Sequence, residues 1–103
     1  MAALKLAQAI AIIEVALAEA RKKHFAPLGI AVLDAGGHLI AFKREDGAGF
    51  VRFDIAFGKA WGSLGMGFGT RELAERANRF PPFFAALAAT SHRRMVTSPG
   101  GVL

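Results

Sequence analysis

The 103-residue chain is long enough for one domain and too short for a second hydrophobic core, and its 53% hydrophobic and 20% charged residues exclude a disordered chain. The formal net charge of +5 is spread along the sequence without aromatic residues interleaved among the basic ones, so no nucleic-acid partner is expected. The sequence has no cysteine, no apolar run of membrane-spanning length and no recognisable signal peptide, which excludes thiolate chemistry, argues against a membrane partner and predicts a cytoplasmic protein.

The first predicted element is a helix over residues 3–23. Its apolar residues recur at spacings of four, three, four and three, the pattern of one helical face. The residues of this face are Leu6, Ile10, Ile13, Leu17 and Ala20. Because Ile12 and Val15 extend the apolar surface to the flanks, the helix is expected to be buried on a second side, by a partner subunit.

A β-hairpin is predicted next. Residues 28–33 and 39–44 are rich in aliphatic and β-branched side chains, and the Asp-Ala-Gly-Gly sequence at 34–37 is typical of a tight turn. The glycines can adopt positive φ there, and the aspartate can accept hydrogen bonds from its own backbone. Two strands joined by so short a turn are antiparallel.

His38 lies at the mouth of this hairpin. Alternation along the second strand predicts that Ile40 and Phe42 share a face with His38, whereas Leu39 and Ala41 lie on the other. Imidazole is a common protein ligand of haem iron, so His38 is the candidate metal ligand. The alternative interpretation is an exposed histidine in a turn.

A helix is predicted over residues 53–68 although it contains Gly58, Gly62, Gly65 and Gly67. Each glycine inside a helix costs about 1 kcal/mol relative to alanine. Retaining several of them indicates either that the backbone of another element approaches this helix closely or that its C-terminal half is loosely held.

Shorter elements complete the chain. Thr70 is the predicted N-cap of a helix that ends near residue 78, and a second short helix is expected over residues 81–89, with two prolines in its first turn. Residues 93–97 are predicted as a third strand, 98–101 as a turn, and 102–103 as the start of a further strand.

This order predicts an α/β domain of the α+β type, with an antiparallel sheet flanked by helices. A small sheet with open edges is poorly protected in a monomer. We therefore expect a homo-oligomer.

The sequence contains neither a dinucleotide-binding fingerprint nor a nucleophile elbow. Gly65–Thr70 lacks the third glycine of a dinucleotide-binding fingerprint and follows a predicted helix rather than a strand. Asp34, Asp46 and Asp54 are interpreted as turn and cap residues, and no serine lies in a nucleophile elbow. No catalytic residue is assigned from motifs.

Two further histidines were considered as ligands. His92 precedes Arg93 and Arg94, whose guanidinium groups can pair with propionates, so His92 is the second candidate. His24 ends the first helix beside a basic cluster and is interpreted as a companion of the helix terminus.

Five blocks of sequence, in order along the whole chain, strongly resemble the GlcG/HbpS-like family, which includes the C-terminal domain of some PduO-type corrinoid adenosyltransferases. The blocks are residues 34–42 followed by 46–48, 54–56 with 58–60, 68–73, 82–87 and 98–102. The resemblance implies a profilin-like fold in which residues 1–103 form one domain, assembled as dimers, tetramers or octamers. It also implies binding of haem or a corrinoid in some members.

The positions that the resemblance places around the pocket are Asp34, Gly36, Gly37, His38, Lys59, Pro99, Gly100 and Gly101. Family members usually continue after the Pro-Gly-Gly block with two strands, a glycine-rich turn and a helix, so the resemblance implies a C-terminally truncated domain. In addition, the helix containing Lys59 is usually rich in alanine, whereas here it is rich in glycine.

Three functional hypotheses follow. The first is a non-enzymatic or weakly catalytic protein that binds haem or a related tetrapyrrole, with His38 or His92 at the metal and Arg44, Arg93 or Arg94 at the carboxylates. The second is an enzyme, or an enzyme accessory, that acts on a small 2-hydroxy or 2-oxo acid near Lys59 and Gly100–Gly101, with Asp34 or Asp46 as base. The third is a structural assembly unit without a ligand.

Overall fold

The computed structural model describes residues 3–92 and 94–103 of the chain. It contains six elements in order: α1 (Leu6–Lys22), β1 (Gly29–Leu33), β2 (Leu39–Arg44), α2 (Arg52–Met66), α3 (Thr70–Arg79) and α4 (Pro81–Thr90). The predicted α+β class, with an antiparallel sheet flanked by helices, is confirmed. Within the described ranges, no helix combines the length and the apolarity needed to cross a membrane.

The hairpin lies between two helices. On one face of the sheet, Ala9 and Ile13 of α1 are fully buried against Val32 of β1. On the other face, the ring of Phe42 meets the ring of Phe53 of α2 edge to face, with the centroids 5.0 Å apart. The sheet is thus the middle layer of the domain, and its turn is left at the periphery.

The side chains of β2 do not alternate between the two faces of the sheet as the sequence predicts. Val32 pairs with Ala41 and Leu33 pairs with Leu39, so Ile40 is an extra residue in a β-bulge. Because a bulge shifts the alternation by one residue, Ile40 packs with Ala41 on the α1 face, whereas Phe42 faces α2. The prediction that Ile40 and Phe42 share a face is therefore wrong.

The predicted third strand is also wrong where the structure describes it. Residues 94–97 and 102–103 are not strands, and the sheet has two strands; Arg93, the first residue of the predicted strand, lies outside the described residues. The backbone N–H of Val96 donates to the carbonyl oxygen of Gly58 in α2, at 3.2 Å. This segment therefore packs along a helix rather than beside β1 or β2.

The glycines of α2 explain this contact. A Cβ atom on Gly58 would lie 2.5 Å from the carbonyl oxygen of Arg94, and one on Gly62 would lie 2.7 Å from Cγ of Met95. The predicted close approach of another backbone is confirmed at Gly58, whereas Gly62 makes room for the side chain of Met95. Gly67, with φ of 79°, ends the helix in the left-handed conformation, which is a common helix terminus.

Thr70 does not act as the predicted N-cap. Gly69 occupies the N-cap position, and Thr70 is the first residue of α3. Its hydroxyl instead accepts a hydrogen bond from the N–H of Gly101 (2.6 Å), and its own N–H donates to the carbonyl oxygen of Gly101 (3.0 Å). This reciprocal pair fastens the C-terminal turn to the start of α3.

Candidate functional site

The hairpin turn contains a carboxylate, that of Asp34, which is held by several hydrogen bonds. Oδ1 of Asp34 accepts hydrogen bonds from the backbone N–H groups of Gly36 and His38, both at 2.9 Å. The ring Nδ1 of His38 lies 3.1 Å from the same oxygen. The backbone N–H of His38 is the main reason that the pKa of Asp34 is lowered, and the N–H of Gly36 and the ring of His38 lower it further.

The side chain of His38 is engaged at one ring nitrogen and is otherwise open to solvent. Its side chain is 80% exposed, and Nδ1 is the ring atom engaged by Asp34. A histidine whose Nδ1 is held by a carboxylate presents Nε2 as a free donor atom, which is the arrangement found in most metal-ligating histidines. The predicted ligand is therefore accessible and oriented.

A small cleft opens beside the turn. It has a volume of about 170 Å³ and lies between the turn and α2, lined by Ala35, Gly36, Gly37, Trp61, Leu64 and Gly65. Gly37 has φ of 82°, and a Cβ atom there would lie 3.2 Å from Cδ1 of Trp61. The glycines thus allow the turn to approach the indole closely, and the cleft wall is largely apolar.

Arg94 is brought to the same tryptophan. Its guanidinium carbon lies 4.5 Å from the centroid of the Trp61 ring, and its Nε donates to the carbonyl oxygen of Ser91 at 3.1 Å. A guanidinium stacked on an indole retains in-plane N–H groups for a carboxylate. Of the arginines named from the sequence, Arg94 is thus placed beside Trp61, and Arg93 lies outside the described residues.

Lys59 lies on another side of α2. Residues two apart in a helix are separated by about 200° around its axis, so Lys59 and Trp61 project in nearly opposite directions. Nζ of Lys59 donates to the carbonyl oxygen of Pro99 at 3.0 Å. Gly100, with φ of 130°, lies directly against this ammonium group, since a Cβ atom there would be 3.3 Å from Nζ.

The turn at Gly100–Gly101 therefore joins Lys59 and not the hairpin cleft. A Cβ atom on Gly101 would lie 2.7 Å from the hydroxyl oxygen of Ser63. That hydroxyl is fully buried and has no hydrogen-bond partner among the described residues. The structure thus separates Lys59, Gly100 and Gly101 from Gly36, Gly37 and His38.

Arg44 is distant from His38. It lies six residues further along the hairpin, which corresponds to about 20 Å of extended chain. There it lines a polar cavity of about 420 Å³ together with Arg21, Pro27, Glu45 and Asp46. Arg21 is bound to Glu45 in this cavity, at 2.9 Å. Arg44 and His38 cannot both contact one small ligand within a single chain.

The other two histidines occupy the ends of helices. His24 follows α1 and His92 follows α4, each with φ of 56°, in the left-handed region. Both residues are exposed. Across residues 3–92 and 94–103, no group of three or more histidine, aspartate and glutamate side chains is arranged to hold a metal ion. A haem iron, in contrast, requires only one axial side chain from the protein.

Sequence reasoning missed Trp61 and the pairing of Asp34 with His38 as parts of one site. Trp61 is the single tryptophan of the chain, and Gly65 lines the cleft together with it. A lone tryptophan among helical glycines was the available signal. This signal does not indicate that the hairpin turn packs against Trp61.

The comparisons with known proteins support one family. No curated protein and no solved structure matches the chain. A family model described as haem degrading protein HbpS-like matches residues 4–103, nearly the whole sequence, in agreement with the resemblance seen in the five sequence blocks. The chain therefore belongs to the HbpS-like family.

Proposed function

We propose that the protein binds haem, or a related tetrapyrrole such as a corrinoid, at the cleft between the hairpin turn and Trp61. The observation that carries the proposal is the orientation of His38, whose Nδ1 is held by Asp34 while the ring remains exposed. Membership of the HbpS-like family supports the choice of ligand. The proposed role is binding, with little or no catalysis.

The groups in and beside the cleft have separate tasks. His38 follows Gly37, which lines the cleft, but does not line the cleft itself. Its Nε2 would hold the iron of a haem that extends beyond the cleft, and the indole of Trp61 with the turn glycines would form an apolar wall. Arg94 lies over that indole, where its free N–H groups pair with a propionate. A haem, once bound, would supply a redox-active iron centre.

The volume of the cleft supports a site completed by a second copy. Its 170 Å³ is below the range of about 300–1,000 Å³ that is usual for ligand pockets. One chain therefore covers only part of a tetrapyrrole, and the propionate far from Arg94 is left to solvent or to a partner subunit. We infer a homo-oligomer, from dimer to octamer.

The outer face of α1 is the proposed contact between copies. Ile12 and Val15 are neighbours on this face and are 48% and 71% exposed. Leu6 and Ile10 lie on the same side of the helix as Ile13 but are also exposed, at 56% and 37%. An apolar patch of this kind on a small domain is typical of an interaction surface. We also propose that residues 1–103 form one domain and that the protein works in the cytoplasm.

Hemin titration followed at the Soret band tests the proposal. The wild-type protein is expected to give a saturating shift at a fixed ratio of hemin to chain. His38→Ala is expected to weaken binding by about tenfold or more and to change the spectrum, because the axial nitrogen is lost. His24→Gln and His92→Gln remove an imidazole elsewhere and are expected to leave both unchanged.

The ligand assignment is overturned if His92→Gln, and not His38→Ala, changes the spectrum. Tetrapyrrole binding itself is overturned by absorbance that rises without saturation, which indicates adsorption to apolar surface.

Lys59 supports a second candidate function, the binding of a small carboxylate by an enzyme or an enzyme accessory. Its ammonium group is bonded to a neutral carbonyl, has no acidic partner among the described residues, and lies against Gly100. We expect a 2-hydroxy or 2-oxo acid such as lactate or pyruvate to bind there, and Lys59→Ala to abolish binding in calorimetric titration. Lys22→Ala is the control.

A flat titration with every such acid discards this candidate. If hemin also fails to bind while the oligomer persists, the protein is an assembly unit without a ligand.

A further inference from the structure

We propose that Asp34 is a positioning residue that selects the tautomer and ring orientation of His38, so that Nε2 is the nitrogen offered to a ligand. The inference rests on the proposed function for its ligand, and on the geometry of the turn for its chemistry. Asp34 itself contacts no ligand in this scheme.

The geometry couples one carboxylate oxygen to both the backbone and the ring of His38. Oδ1 of Asp34 accepts from the N–H of His38 at 2.9 Å and lies 3.1 Å from its Nδ1. The N–H of Gly36, also at 2.9 Å, holds the same oxygen from the other side of the turn. The oxygen that accepts the backbone N–H of His38 is therefore also the partner of its ring nitrogen. Contacts within residues 34–38 alone set the orientation of the ring.

The chemistry of a carboxylate then decides the tautomer. A neutral imidazole carries one N–H, and an ionised carboxylate can only accept a hydrogen bond. The proton therefore lies on Nδ1, and the lone pair of Nε2 faces outward. A carboxylate on Nδ1 also makes the imidazole a stronger electron donor to a metal.

Gly36 supplies a second and independent constraint on the ring. A Cβ atom on Gly36 would lie 2.9 Å from both Nδ1 and Cε1 of His38, so the imidazole rests directly on the glycine. The ring therefore has two close neighbours within the turn, the carboxylate at Nδ1 and the glycine beside the Nδ1–Cε1 edge, while 80% of the side chain is exposed.

The first test requires no ligand. Nitrogen chemical shifts of the histidine rings, measured by NMR near neutral pH, distinguish the two neutral tautomers. We expect the Nδ1-protonated form to dominate for His38 in the wild-type protein and to lose that dominance in Asp34→Ala. Glu75→Gln, which removes a carboxylate from the exposed surface of α3, is expected to leave the shifts unchanged.

The second test uses hemin and the near-isosteric variant Asp34→Asn. The amide oxygen of the asparagine still accepts hydrogen bonds from the two backbone N–H groups, so the turn is retained. The negative charge beside Nδ1 of His38 is lost. We expect hemin affinity to fall by about tenfold, and the reduction potential of the bound iron to rise because the histidine donates less strongly. A role confined to holding the turn would leave the potential unchanged.

The outcomes separate the two proposals. If the wild-type protein does not bind hemin, the proposed function is overturned. The NMR result still decides whether Asp34 orients His38. A wild-type protein that binds hemin through His38, with identical potential in Asp34→Asn and identical tautomer in Asp34→Ala, overturns the positioning role. Unchanged ring shifts in Gly36→Ala would likewise contradict the contact between the imidazole and Gly36.

Discussion

Replacing Gly58 with alanine is expected to destabilise the domain by about 2 kcal/mol or more, after allowing for a gain of about 1 kcal/mol in helix propensity. The new methyl carbon would lie 2.5 Å from the carbonyl oxygen of Arg94 and 2.6 Å from Cγ2 of Val96. A backbone oxygen cannot rotate away as a side-chain terminus can. The segment would therefore be displaced, and the hydrogen bond from Val96 to Gly58 would be lost.

Gly65→Ala is the matched control on the same helix. A Cβ atom on Gly65 meets nothing within 4 Å, so the substitution is expected to stabilise the domain by about 1 kcal/mol through helix propensity alone. Urea unfolding of both variants measures the two changes. Equal shifts of the same sign would show that the contact between α2 and residues 94–96 does not contribute to stability.

Elements with local signals were predictable from the sequence. The apolar spacing of α1, the glycine-rich turn of the hairpin, and the two prolines that begin α4 each specify structure within a few residues. The largest difference at a boundary is the start of α1, which begins at Leu6 rather than at residue 3. Such signals act over short distances, so the rest of the chain does not alter them.

Elements that depend on distant contacts were not predictable. The bulge at Ile40 depends on how β2 pairs with β1, and the sequence of β2 alone gives only strict alternation. Residues 94–97 contain strand-forming side chains, yet their partner is a glycine face on α2. The hydroxyl of Thr70 is taken by Gly101, which is 31 residues away.

The candidate site shows the same division. Asp34 and His38 are four residues apart in one turn. The sequence predicted both as candidate site residues but did not predict that they pair. Lys59 was grouped with them through the family resemblance, but two positions along α2 decide which side of the helix a residue occupies. Trp61, and not Lys59, therefore lies beside the hairpin turn.

This separation bears on the choice between the two ligands. A site at His38 has an oriented imidazole and an aromatic wall but is shallow within one chain. A site at Lys59 has a cation that is bonded to the carbonyl oxygen of Pro99, and the described residues place no carboxylate within bonding distance of it. Metal ligation therefore favours the hairpin turn, and a test at one site leaves the other intact.

The adjacent residues Ile12 and Ile13 give the sharpest test of α1. Ile13 is fully buried against the sheet, whereas Ile12, about 100° away around the helix axis, is 48% exposed. Ile13→Ala is expected to cost about 2–4 kcal/mol, because it removes buried methyl groups and leaves a cavity. In a domain of this size, such a loss lowers the melting temperature by roughly 10 °C or more.

Ile12→Ala removes the same atoms from the outer face of α1. In an isolated chain it is expected to change stability by less than about 0.5 kcal/mol. If copies of the chain meet at this face, the variant instead dissociates at higher protein concentration than the wild type, as measured by sedimentation equilibrium. A melting temperature lowered equally by both variants would contradict the assignment of separate faces, because it would place Ile12 in the same packed environment as Ile13.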